Sequence, residues 1–141
     1  MIGEKSITGA YLLLLRLDEP SELVIGALGP IFFEAGDYAY VGSAMGGLEQ
    51  RVARHLRSKK KLQWHIDYLL QAAVHREALL VPSSSAVECV LANVVATLPG
   101  ATMVRRFGCS DCRCPSHLFH IPGDMVECLR SAFSPDLRRT A

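Results

Sequence analysis

The stretch DYAYVGSAMGGLEQRVARHL, residues 37–56, changes its hydrophobic period halfway along. Asp37 to Val41 is rich in aromatic and β-branched residues and lies between Gly36 and Gly42, which predicts a strand. From Gly47 onward, Leu48, Val52 and Leu56 recur every four residues and mark one buried helix face. A strand feeding an amphipathic helix through a glycine-bounded turn is the unit around which the rest of the chain is arranged.

Upstream, Tyr11 to Leu17 is a largely apolar run closed by Asp18, Glu19 and Pro20, a first strand and a turn. Leu23 to Ile25 and Ile31 to Phe33 predict two more strands, joined around Gly29 and Pro30. With hairpin spacing throughout, an antiparallel meander is the economical arrangement. Downstream, Trp64 to Ala72 predicts a helix and Val74 to Val81 a strand leading into Pro82. Ser83 to Ser85 introduce Val87, Val90, Leu91, Val94 and Leu98, an amphipathic helix ended by Pro99 and Gly100. Phe107 to Pro115 is a polar, cysteine-rich loop; Leu118 to Ile121 suggests a late strand and Asp124 to Phe133 a terminal helix, with a frayed tail from Ser134. The expected class is mixed α/β (α+β), a small and mainly antiparallel sheet flanked by helices. It forms a single domain over residues 1–133, with a core over about 8–98, a cysteine/histidine loop over 107–120 and a tail over 134–141.

A length of 141 residues suits one domain, and 50% apolar residues are enough to build a core without staples. The formal net charge of +1 names no partner by itself. A membrane span is excluded as an expectation: the longest apolar stretch, Leu23 to Phe33, is broken by Gly26, Gly29 and Pro30 and falls short of the roughly 20 residues a spanning helix needs. The start has neither a full apolar signal region nor a small-residue cleavage site, so it is not read as a signal peptide. Cys89, Cys109, Cys112, Cys114 and Cys128 are odd in number, which points to reduced thiols or metal ligands and a cytoplasmic location. Charge is nonetheless local. Residues 51–61, RVARHLRSKKK, hold six of the fifteen bases and no acid, a segment able to focus an anion, or simply a solvated helix end and loop.

Two segments belong together: Gly9-Ala10-Tyr11 opening the first strand, and Tyr40-Val41-Gly42-Ser43-Ala44 closing the strand before the long helix. With Arg51, Arg54 and His55 on that helix, the pattern resembles the GIY-YIG nuclease superfamily over roughly residues 8–98. The segments WHIDYLL (64–70) and DCRCPSHLF (111–119) make nearly the whole chain, to about residue 122, look like a small, little-characterised GIY-YIG-related group. Relative to the superfamily pattern, Gly46-Gly47 adds a residue before the helix arginine.

The resemblance implies a divalent-metal-dependent endonuclease that hydrolyses DNA phosphodiesters, with DNA repair as its setting. Such chemistry needs an activated water, positive charge beside the phosphorus and stabilisation of the leaving oxygen. By resemblance Tyr11 accepts the water's proton, and Tyr40 beside it positions water or phosphate. Phenol titrates near 10, so Tyr11 serves as a base only with help from its surroundings; both tyrosines otherwise read as ordinary strand residues. On a helical wheel Arg51 and His55 lie one turn apart on the border of the buried arc, whereas Arg54 and Arg57 face solvent. Arg51 is therefore the expected phosphate ligand, or else a surface ion pair, and His55 a second proton-handling or phosphate-contacting group. Arg54, Arg57, Lys59, Lys60 and Lys61 would track the DNA phosphate backbone, with salt-dependent affinity.

The resemblance also places a metal-holding glutamate on a later helix. Glu88 is the candidate, and one carboxylate suits Mg2+ (or Mn2+), which keeps most of its waters. The competing reading is a capping box, Ser85-Ala86-Val87-Glu88, in which Glu88 reaches back to the Ser85 amide. His65 and Asp67, two apart on a helix, point to different faces, and Asp67 reads as a cap as readily as a functional group. Cys109, Cys112, Cys114 and His117 offer four Zn2+ donors, or a structural loop that returns His117 to the cleft. Two other functions remain open: a catalytically inactive nucleic-acid-binding or repair-associated module, with a repair protein supplying substrate recognition, and a zinc-stabilised interaction domain.

Overall fold

The computed structural model describes residues 8–44, 47–57, 62, 64–85, 87–104, 106–107 and 116–133, and the backbone of 137–140. The chain forms a single α+β domain whose sheet is antiparallel at every pairing. Five of its strands are β1 (Gly9–Leu17), β4 (Gly36–Ser43), β5 (His75–Pro82), β6 (Thr102–Met103) and β7 (Leu118–Ile121). Together with β8 (Leu137–Thr140) they run in the order β6-β7-β4-β1-β5-β8.

β1 lies at the centre because both of its faces are apolar. Tyr11, Leu13, Leu15 and Leu17 enter one core, and Ala10, Leu12 and Leu14 enter the other. A strand covered on both sides needs no polar alternation, which accounts for the unbroken run Tyr11 to Leu15. The first core is closed by α1 (Leu48–Leu56) through Leu48 and Val52, and by α2 (His65–Ala72) through Ile66, Leu69 and Leu70. The second is closed by α3 (Glu88–Ala96) through Leu91, Ala92 and Val95, and by α4 (Gly123–Phe133) through Val126 and Leu129. The sheet is thus sandwiched between two helical layers.

The expected meander does not form. The hairpin of β2 (Ser21–Val24) and β3 (Pro30–Phe33), joined through a 3-10 turn at Gly26–Leu28, is a separate two-stranded ribbon. Its strands are only four residues long and keep Val24 and Phe32 exposed, so they do not compete with the eight-residue pairing of β1 to β4. That pairing sets Tyr11 directly opposite Gly42. The tail is likewise not wholly frayed, since Leu137–Thr140 pairs with the outer side of β5. Among the described residues no helix is long and apolar enough to cross a membrane.

A candidate active site at one end of the sheet

Three segments meet where β1 begins, β4 ends and β7 begins. Their backbones are tied together there: the Ala44 amide donates to the Gly9 carbonyl and the Val41 amide to the His117 carbonyl, each at 2.9 Å. The short connection from β4 drops α1 across the same end of the sheet, and α3 starts beneath it.

Tyr11 is the centre of this corner. Its ring lies across Gly42 so closely that a Cβ there would stand 2.2 Å from the phenolic carbon and oxygen. The glycine is therefore required by the tyrosine it faces, and the two motif halves are one packing unit. Tyr11 is 2% exposed, and its hydroxyl lies 2.8 Å from His55 Nε2. The Tyr40 ring follows at 6.5 Å between centroids, with Phe107 edge-on to it at 6.2 Å. Burial pushes the Tyr11 hydroxyl up to about 12, against the opposing pull of Arg51. Tyr40 is raised too, by burial first and then by the proximity of Tyr11 and Glu88.

Arg51 donates to the Ser43 carbonyl at 3.2 Å and lies over the Trp64 ring at 4.6 Å from its centroid. Its half-buried guanidinium thus stays at the rim of the tyrosine pair. His55 is 1% exposed, held between Tyr11 and the Trp64 ring at 5.7 Å. Arg51 and His55 come to the site together, one helical turn apart on α1.

Arg54 corrects the wheel. It was expected to face solvent, but its side chain is only 16% exposed because Asp67, near the start of α2, and the Trp64 ring lie against it. Both guanidinium nitrogens bind Asp67, at 3.0 and 2.9 Å, and the cation stacks on Trp64 at 4.2 Å. Its charge is matched inside the fold by Asp67. Arg57 caps α1 and is exposed, while Lys59, Lys60 and Lys61 lie outside the described residues.

Asp67 does cap α2, accepting from the Trp64 amide at 2.9 Å. It is fully buried, and Oδ1 stands 4.0 Å from His55 Nδ1. Nothing in the spacing of the chain indicated this, although WHIDYLL marked the segment. His65 turns the other way, its ring against Phe107 at 6.0 Å.

Glu88 is not a capping-box partner of Ser85. It is the first residue of α3, with Val87 as the N-cap, and the Ser85 amide donates to Ser83 Oγ at 3.1 Å. Its carboxylate is 31% exposed, raises both site tyrosines electrostatically, and has Oε2 at 3.6 Å from His117 Nδ1. His117 is buried, which lowers its basicity, with Glu88 acting in the opposite sense. Cys109, Cys112 and Cys114 lie outside the described residues, and among the described residues no three acidic, histidine or cysteine side chains gather into a metal cluster.

The fold and the corner together define a small α+β domain with a cluster of tyrosine, histidine and arginine side chains near one part-exposed carboxylate. The chain belongs to the family described as "Domain of unknown function DUF123", whose model matches residues 10–136. No curated protein and no solved structure matches it.

Proposed function

We propose that the domain is a divalent-metal-dependent endonuclease of the GIY-YIG type that hydrolyses DNA phosphodiester bonds. The observation that carries this reading is the buried Tyr11–His55 contact at 2.8 Å, with Tyr40 and Arg51 beside it and Glu88 across the same corner. A phenol of ordinary acidity is a poor base, and burial makes its ionised form scarcer still. In contact with an imidazole nitrogen, however, it can take a proton while giving one up.

Tyr11 takes the proton of the attacking water, Tyr40 orients that water, and Arg51 meets the growing charge on the phosphoryl oxygens. A partly exposed single carboxylate beside the tyrosines fits a cation that retains most of its waters, so Glu88 would hold Mg2+ or Mn2+. The bound cation would supply charge neutralisation at the phosphoryl oxygen. Two free thiols among the described residues, Cys89 and Cys128, suit a cytoplasmic setting. DNA is the partner, with a repair protein supplying substrate recognition. Zinc at the cysteine loop with His117 is a further proposal, checked by metal analysis of the purified protein.

The test is a labelled panel of duplex, single-stranded, flap and branched DNA, with magnesium or manganese, run beside Tyr11→Phe. Metal-dependent nicking absent from the variant is the expected result. Salt-sensitive binding without any cleavage would instead make the domain an inactive binding module.

A further inference from the structure

Within the hydrolytic reading, on which this inference rests, the proton taken up by Tyr11 must itself go somewhere. We propose that Asp67 is a positioning residue that holds His55 in the Nδ1–H tautomer, so that Nε2 receives the phenolic proton of Tyr11 as water is activated.

Geometry supplies the argument. Tyr11, His55 and Asp67 form one line from β1 through α1 to α2, and all three are at most 2% exposed. At one end the hydroxyl and Nε2 are 2.8 Å apart, a contact in which the phenol donates only if Nε2 carries no proton. At the other end Asp67 Oδ1 is 4.0 Å from Nδ1, close enough for its charge to favour a proton there, although longer than a hydrogen bond. Asp67 cannot turn away. Both its oxygens accept from Arg54, and Oδ2 also accepts from the Trp64 amide. Two bonds from one guanidinium identify it as the carboxylate form.

Among the described residues, charged side chains also flank His55 on α1. Arg51 and Arg54 come from its own helix, and Arg54 is matched by Asp67. Trp64 covers the imidazole and carries no charge. The arrangement parallels other active sites in which a buried carboxylate fixes the tautomer of a histidine base and faces the imidazolium formed in the reaction.

The step balances without any further reagent. One O–H bond of water breaks and its proton joins the Tyr11 oxygen as the phenolic proton passes to His55 Nε2. The new hydroxide forms a bond to phosphorus, the ester P–O bond breaks, and the leaving oxygen takes a proton from solvent. The imidazolium, now beside Asp67, later returns its proton to solvent by the same route.

Nitrogen-15 NMR of the His55 ring in the full chain reads the tautomer directly and needs no turnover. The expected result is a proton on Nδ1 and none on Nε2 in the wild type, with a shift toward Nε2–H in Asp67→Asn. Cleavage by that variant is expected to fall on the order of 100-fold or more, with DNA binding unchanged. A proton on Nε2 in the wild type overturns the proposal, as does an Nδ1–H tautomer that persists in Asp67→Asn. Should the variant fail to fold, the wild-type spectrum alone decides. A wild type that cuts no DNA defeats the hydrolytic reading, and the spectrum still reports on the tautomer separately.

Discussion

Two buried carboxylates, one on each side of the sheet, are held in nearly the same way and have different neighbours. Asp67 on α2 and Glu77 on β5 are both fully buried, and each binds one arginine through two nitrogens. Asp67 also faces His55, which touches Tyr11. Glu77 accepts from Arg130 of α4 and pairs with His75 at 2.8 Å, and that group ends at the protein surface. A buried ion pair by itself is weak evidence of function. What separates the two is the company kept: only Asp67 adjoins a buried histidine that is itself in contact with the corner tyrosine.

The comparison is sharpened most by Tyr11→Phe. Removing one hydroxyl is expected to lower cleavage on the order of 100- to 10,000-fold, and to cost only about 1–3 kcal/mol of stability for the lost buried contact with His55, measured by single-turnover nicking and calorimetry. An equal loss in Glu77→Gln would erase the distinction between the two faces.

Arg54→Ala and Arg130→Ala come next. Each strands a buried carboxylate, so each is expected to destabilise by about 3–5 kcal/mol in urea unfolding. Arg130 should fall at the lower end, because its side chain is 29% exposed against 16% for Arg54. Only the Arg54 change should also alter His55 in the NMR spectrum.

A smaller effect is expected of Gly42→Ala. The added methyl meets the Tyr11 ring at 2.2 Å, and such overpacking costs about 1–3 kcal/mol. Displacement of the ring should reduce cleavage more than stability. A variant with wild-type nicking would show that the ring's position across Gly42 is incidental.

The smallest effect is a pH dependence carried by Glu77. Burial alone would raise its carboxyl, but hydrogen bonds from Arg130 and His75 outweigh burial and hold it below the ordinary 4.5. A lowered folded value means its stabilisation is fully present above 4.5 and is lost as pH falls through the folded value. Unfolding midpoints followed downward from neutral pH should therefore drop less steeply in Glu77→Gln than in wild type.

Much of the layer structure was legible in the chain because local pattern and tertiary packing agree there. Leu48, Val52 and Leu56 repeat at helical spacing, and Leu48 and Val52 are buried as that repeat implies. The strand pairings were not legible. Tyr11 opposite Gly42 depends on a ring filling the space left by a missing Cβ, which no hydropathy pattern encodes. Arg54 was misplaced for a related reason: a wheel describes one helix in isolation, and Trp64 and Asp67 meet the side that the wheel assigns to solvent. Glu88 missed its capping register because α3 begins at Glu88 itself, leaving Ser85 outside the helix. At the site, Tyr11, Tyr40, Arg51 and His55 could be named from motif and wheel alone. Trp64 and Asp67 could not, since their relation to His55 exists only once the start of α2 is brought beside α1 in the fold.

The most direct test of the account is single-turnover nicking of one labelled DNA substrate, with magnesium or manganese, by wild type, Tyr11→Phe and Glu77→Gln at matched folded fraction. The account predicts metal-dependent nicking by wild type and Glu77→Gln and none detectable from Tyr11→Phe. Nicking that survives in Tyr11→Phe, or a wild type that binds the substrate and never cuts it, would contradict it.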